Sequence, residues 1–161
     1  MKNIAILVDV QNVYYTTMSA FKCHFNYRVL WRSLSARHEI KHAFAYAIDR
    51  GDSKQRQFQN ILREIGFDVK LKSYIQRADG SAKGDWDVGI TLDAIQCARS
   101  VDKIVLVSGD GDFDLLATTV QSQFGIEFEV YGVEMLTARS LIEAATSFVS
   151  IEGELLLDIH K

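Results

Sequence analysis

Proline is absent from this 161-residue chain, and no low-complexity tract or internal repeat marks a linker. The length therefore suits one domain, residues 1–161, with a sizeable core. Cysteine is scarce. Cys23 and Cys97 have no metal-binding spacing and are expected to be reduced thiols of a cytoplasmic protein. The four histidines, His24, His38, His42 and His160, are scattered, with no zinc-site spacing. No apolar run approaches the roughly 20 residues that a membrane helix requires, so no membrane association is expected. Met1-Lys2-Asn3-Ile4 leads into a strand-like run without a small-residue cleavage site, so no signal peptide is expected. Several chemical signatures are also missing. There is no G-x-S-x-G nucleophile elbow, the glycines lack G-x-G-x-x-G spacing, and the EF-hand ligand series is absent.

What is present is ordinary in amount and uneven in placement. Apolar residues make up 48% and charged residues 24%, values usual for a soluble globular chain. The net charge of −3 argues weakly against nucleic acid, but residues 22–83 hold 13 Lys/Arg against 6 Asp/Glu, and the remainder 5 against 15. A basic half facing an acidic half suits a protein that holds phosphates on one side and metal ions on the other, or is simply an uneven solvated surface.

Apolar strand-like runs alternate with helical stretches. Strands are predicted at 3–9, 41–48, 67–74, 103–108 and 126–131, and helices near 11–21, 27–37, 53–65, 86–99, 112–123 and 137–146. Asp52-Ser53 reads as a cap for the third helix, and Gly66 and Gly125 as left-handed helix ends. The alternation predicts a Rossmann-like α/β fold, a three-layer α/β/α sandwich on a parallel sheet of about five strands. Ile4–Val8 and Ile104–Val107 are continuously apolar, as central strands buried on both faces should be. Central placement of the first and fourth strands gives the order 3-2-1-4-5. The tail from Leu155 to His160 is apolar enough to dock on the domain or on a partner.

The carboxylates gather where such a sheet places its crevice, at the C-terminal ends of its strands. Asp9 ends the first strand, and Ser108-Gly109-Asp110-Gly111-Asp112 follows the fourth. Asp87 and Asp93 lie on or near the fourth helix. Carboxylates held together repel unless they share protons or bind a cation, and a divalent metal at such a site points to phosphoester chemistry. Asp9 alone reads first as a helix cap. A spacing of six puts Asp87 and Asp93 on different helix faces, so Asp87 is the better ligand and Asp93 a partner for a neighbouring ligand or base. Asp85 reads as a cap and Asp114 as a solvated helix residue. Asn12 either caps or orients a carboxylate or phosphate. Lys83 belongs to a polar loop, 76–84, of a kind that carries phosphate-binding side chains. Tyr14 and Tyr15 either stack a base or, more commonly, fill helix core.

Three blocks together resemble the NYN domain of the LabA group among PIN-like proteins. They are Asp9-Val10-Gln11-Asn12, Lys83-Gly84 with Asp87-Val88 and Asp93, and Ser108-Gly109-Asp110-Gly111-Asp112-Phe113, and they run in the family order across most of the chain. The resemblance implies a PIN-like sandwich and a Mg²⁺- or Mn²⁺-dependent ribonuclease acting on RNA. It also implies that Asp9, Asp87, Asp110 and Asp112 bind the metal, with Asp93 an additional candidate. Asn12 and Ser108 would then orient ligands or a phosphate oxygen, and Lys83 would contact substrate. A homodimer is compatible with the sequence. The competing class is a non-catalytic RNA- or protein-binding regulator. A haloacid-dehalogenase phosphatase is disfavoured, because Gln11 stands where its second Asp belongs, and a receiver domain because the 67–74 run ends in Ser73-Tyr74 rather than Asp.

Overall fold

A computed structural model of the chain describes residues 1–73, 75–76, 82–83 and 85–157. In chain order its main elements are strand β1 (Lys2–Asp9), helices α1 (Val10–Phe21) and α2 (Tyr27–Arg37), β2 (His38–Asp49), α3 (Ser53–Ile65) and β3 (Asp68–Ser73). Then come α4 (Asp87–Ala98), β4 (Lys103–Val107), α5 (Asp114–Phe124), β5 (Glu127–Gly132), α6 (Arg139–Ala144) and β6 (Ser147–Ser150). The sheet order is β3-β2-β1-β4-β5-β6, and every pairing is parallel. The expected order 3-2-1-4-5 is present and extended by a sixth strand. That strand, Ser147-Phe148-Val149-Ser150, is short, half-buried and polar at both ends, so it carries little of the apolar signal of a buried strand.

Alternation along β1 divides the interior. Ile4, Ile6 and Val8 point to one face, where they meet Val13 of α1, Leu30 and Leu34 of α2, and Leu62 of α3. Ala5 and Leu7 point to the other, toward Ile90 of α4 and Leu116 and Val120 of α5. Ile4 to Val8 and Ile104 to Val107 are fully buried because helices cover both faces of these central strands. The chain leaves β1 toward β2 on one side and returns to β4 on the other. The crevice of this switch point therefore opens above the C-terminal ends of β1 and β4.

Local chemistry sets several boundaries. Asp52 caps α3 by accepting from the Lys54 N–H at 2.9 Å, and Gly125 ends α5 in the left-handed region at φ 65°. The helix expected over 112–123 begins as one 3₁₀ turn, Gly111–Phe113, before α5 proper. Leu156–Leu157 pairs antiparallel with His24–Phe25, and Leu155 and Leu156 pack against the α1–α3 side of the core, so this part of the tail docks on its own domain. The last residues of that tail, 158–161, lie outside the described residues. Among the described residues no helix is long and apolar enough to cross a membrane.

Candidate metal centre

Asp9 is the last residue of β1 and the N-cap of α1, so it has both of the roles open to it in the sequence. The Asn12 backbone N–H lies 3.5 Å from its Oδ1, and the Ser108 hydroxyl donates to its Oδ2 at 3.3 Å. Only 8% of the residue is exposed. Burial pushes its carboxyl up to about 6, the bonds from Asn12 and Ser108 oppose this, and the charges of Asp110 and Asp85 add to it.

The segment after β4 wraps the crevice through a run of short bonds. The Gly109 N–H donates to Asn12 Oδ1 at 2.9 Å, which ties this loop to the first turn of α1. The Asp110 N–H donates to Ser108 Oγ at 3.2 Å, and the Asp112 N–H to Asp110 Oδ1 at 3.0 Å. Segment 136–140 closes over the loop, with the Ala138 N–H donating to the Gly109 carbonyl at 3.0 Å. That closeness explains the glycines. A Cβ on Gly111 would stand 2.8 Å from the Ala138 Cβ, and one on Gly109 would stand 3.0 Å from the Leu136 carbonyl oxygen.

Asp87 opens α4, and its position follows from an anchor just before it. The Trp86 indole N–H donates to the Ala47 carbonyl at 2.9 Å, and Lys72 Nζ sits 4.9 Å from the Trp86 ring centre while donating to the Asp85 carbonyl. This fixes the start of α4 beside the ends of β1 and β4. The Asp87 carboxyl is raised to about 7, first by burial, then by the charge of Asp110 and a hydrogen bond to it, then by Asp85 and Asp9.

One carboxylate oxygen from each of Asp9, Asp87 and Asp110 lies within 4.8 Å of the others. Three acids from three separate elements thus meet at the switch point. Among the described residues no Lys, Arg or His forms an ion pair with any of them. An all-oxygen donor set with surplus negative charge fits a hard divalent cation such as Mg²⁺ or Mn²⁺. Asp9 and Asp87 are weaker acids than usual, first because burial disfavours their charged forms and then because neighbouring carboxylates repel them.

The other predicted site residues divide. Asn12 is bonded to the Gly109 N–H and Ser108 to Asp9, so both side chains lie beside the group of three. Asp112 is exposed and stands outside the group of three, lining a groove of about 250 Å³ with Thr91, Ile95, Leu115, Leu116 and Thr119. Asp93 is held elsewhere, its Oδ2 accepting from Lys70 Nζ and from the Tyr46 hydroxyl, both at 2.7 Å. The Asp85 side chain reaches the Asp87 N–H at 3.4 Å, a long cap contact. Tyr14 and Tyr15 are exposed rather than core, and the Tyr14 ring stacks on His24 with centroids 5.8 Å apart. The Lys83 backbone belongs to a two-residue strand paired with Ile75–Gln76, while its side chain and Gly84 lie outside the described residues. Trp86 is the residue that sequence reasoning missed, its only signal being an aromatic between Asp85 and Asp87.

Known proteins share this sequence and fold. The chain is 25% identical over 156 residues to the low amplitude and bright protein LabA of Synechococcus elongatus, covering 92% of this chain and 83% of that one. It is 55% identical to a crystal structure of a protein of unknown function from Vibrio parahaemolyticus, with a TM-score of 0.93 over 97% of this chain and 96% of the other. The profile of the NYN domain matches residues 3–152. The chain belongs to the NYN domain family, in the PIN-like nuclease superfamily.

Proposed function

We propose that this protein is a ribonuclease that hydrolyses RNA phosphodiester bonds with a divalent metal held by Asp9, Asp87 and Asp110. The observation that carries the reading is the convergence of three partly or wholly desolvated carboxylates, unpaired with any described cation, at the switch-point crevice. Mg²⁺ or Mn²⁺ bound there would supply Lewis acidity, lowering the pKa of a water and screening phosphate charge. Ser108 holds Asp9, Asp110 is held by its own loop, and Asn12 ties that loop to α1, which supports a site built into the fold. Asp112, at the rim, is assigned to the substrate side of the metal site, and Lys83 to a phosphate contact. The exposed Arg28, Arg32, Lys54, Arg56 and Arg63 on α2 and α3 offer cations for an RNA backbone.

The test is cleavage of a single-stranded RNA in Mn²⁺ and in EDTA. The wild type is expected to cleave only with metal, and Asp9→Asn and Asp110→Asn to lose about 100-fold or more of that activity. Cleavage intact in both variants refutes the assignment. RNA binding without cleavage above the EDTA control identifies a non-catalytic RNA-binding module instead.

A further inference from the structure

The outer face of α4 is largely exposed in the monomer. Its inward residues are Ile90, Ala94, Cys97 and Ala98, packed beneath the sheet. On the other side, within about 60° of arc at 100° per residue, lie Val88, Leu92, Arg99 and Ile95, the last half-buried at the edge of the core. Val88 is 71% exposed and Leu92 65%. The helix holds two charged residues, and neither serves solubility: Asp87 belongs to the carboxylate group and Asp93 is paired with Lys70. A helix that is apolar on both faces is normally buried on both. Leu115, 72% exposed on the adjacent α5, widens the apolar surface across the groove lined by Thr91 and Ile95.

We propose that this face is the interface of a homodimer, with α4 packed antiparallel to α4 of a second copy across a two-fold axis. The sequence of the stripe is what selects a second copy. Its spacings of four, three and four residues are those of a helix-packing seam. Val88 and Arg99, and likewise Leu92 and Ile95, are placed symmetrically about one point of the helix. Reversing the helix therefore sets Leu92 against Ile95 of the other copy, and Val88 against its Arg99. The same reversal brings Arg99 within about one turn of the exposed Asp85 that precedes α4, in reach of two symmetric ion pairs at the ends of an apolar centre. Self-complementarity of this kind is what an isologous interface demands. A phosphate backbone is a poor occupant, because Arg99 is the stripe's only cation and the carboxylate group lies at its other end. The inference stands independently of any activity at those carboxylates.

Sedimentation velocity on the full chain, from about 1 to 100 µM, tests it. The wild type is expected to form a reversible dimer of twice the 18.2 kDa chain mass. Leu92→Asp should weaken the dimer about 100-fold while leaving circular dichroism unchanged, and melting unchanged at concentrations where the wild type is monomeric, since the side chain is exposed in the monomer. Asp85→Arg and Arg99→Asp should each weaken it several-fold, and the double variant should recover to near wild type. A monomeric wild type throughout the range, an undisturbed Leu92→Asp dimer, or a double variant no better than the single ones overturns the proposal. A monomer whose binding to single-stranded RNA is lost in Leu92→Asp also overturns it and gives the face to nucleic acid.

Discussion

Replacing Asp9 with Asn should stabilise the metal-free protein, by an amount that grows with pH. Asp9 is buried at the end of β1, and its carboxyl is raised from 3.8 to about 6 by that burial. A folded-state pKa above the unfolded value means that the protonated group favours the fold. That contribution is complete below pH 3.8 and is lost as pH climbs through about 6. A shift of about two units at roughly 1.4 kcal/mol each sets a ceiling near 3 kcal/mol at pH 8. Residual hydration and the hydrogen bonds from Asn12 and Ser108 lower the gain, so about 1–3 kcal/mol is expected, or a rise in melting temperature of roughly 2–10 °C for a chain of this size. The assay is denaturant unfolding of wild type and Asp9→Asn in EDTA from pH 4 to pH 8. The two stabilities should coincide near pH 4 and separate as pH rises. Added Mn²⁺ should then close the gap at pH 8, by stabilising the wild type alone. Two curves that stay parallel across the range would refute the claim that an uncompensated charge is held at Asp9.

Other perturbations follow from the same contacts. Gly111→Ala should cost about 1–3 kcal/mol by forcing its Cβ against Ala138, and should lower metal affinity by displacing Asp110; unfolding and Mn²⁺ titration check both effects. Asn12→Ala should cost about 1–2 kcal/mol, because it strips the Gly109 N–H of its acceptor, with RNA cleavage falling more than RNA binding. Lys70→Met should cost about 1–2 kcal/mol by leaving Asp93 with Tyr46 as its remaining partner, and Asp93→Asn in the same chain should return part of that loss.

Much of the fold was legible because the central strands announce themselves. Ile4–Val8 and Ile104–Val107 are apolar without interruption, since helices cover both their faces, and this placed them at the centre of the sheet. Asp9 and Asp110 followed, as the first acids beyond those two runs. β6 was missed because an edge strand of four residues, two of them serine, has no such pattern. The tyrosines after Asp9 show the limit of a local prior: Tyr14 and Tyr15 occupy the outer side of α1, whose core positions are taken by Val13, Thr16 and Thr17.

By itself, then, the sequence determined the alternating architecture, the central pair of strands and the two acids at their ends. Each of these depends on hydrophobic periodicity, a property of neighbouring residues. Which other acids join them was decided only by tertiary structure. Asp87 arrives because Trp86, anchored to the Ala47 carbonyl, sets where α4 starts. Asp93, six residues on, turns to Lys70, which the parallel pairing of β2 and β3 brings beneath it. Asp112 leaves the group because its N–H turns back to Asp110 and its side chain faces the α4–α5 groove. Periodicity encodes which face of an element is buried, whereas the neighbour that a side chain meets there depends on how distant elements pack.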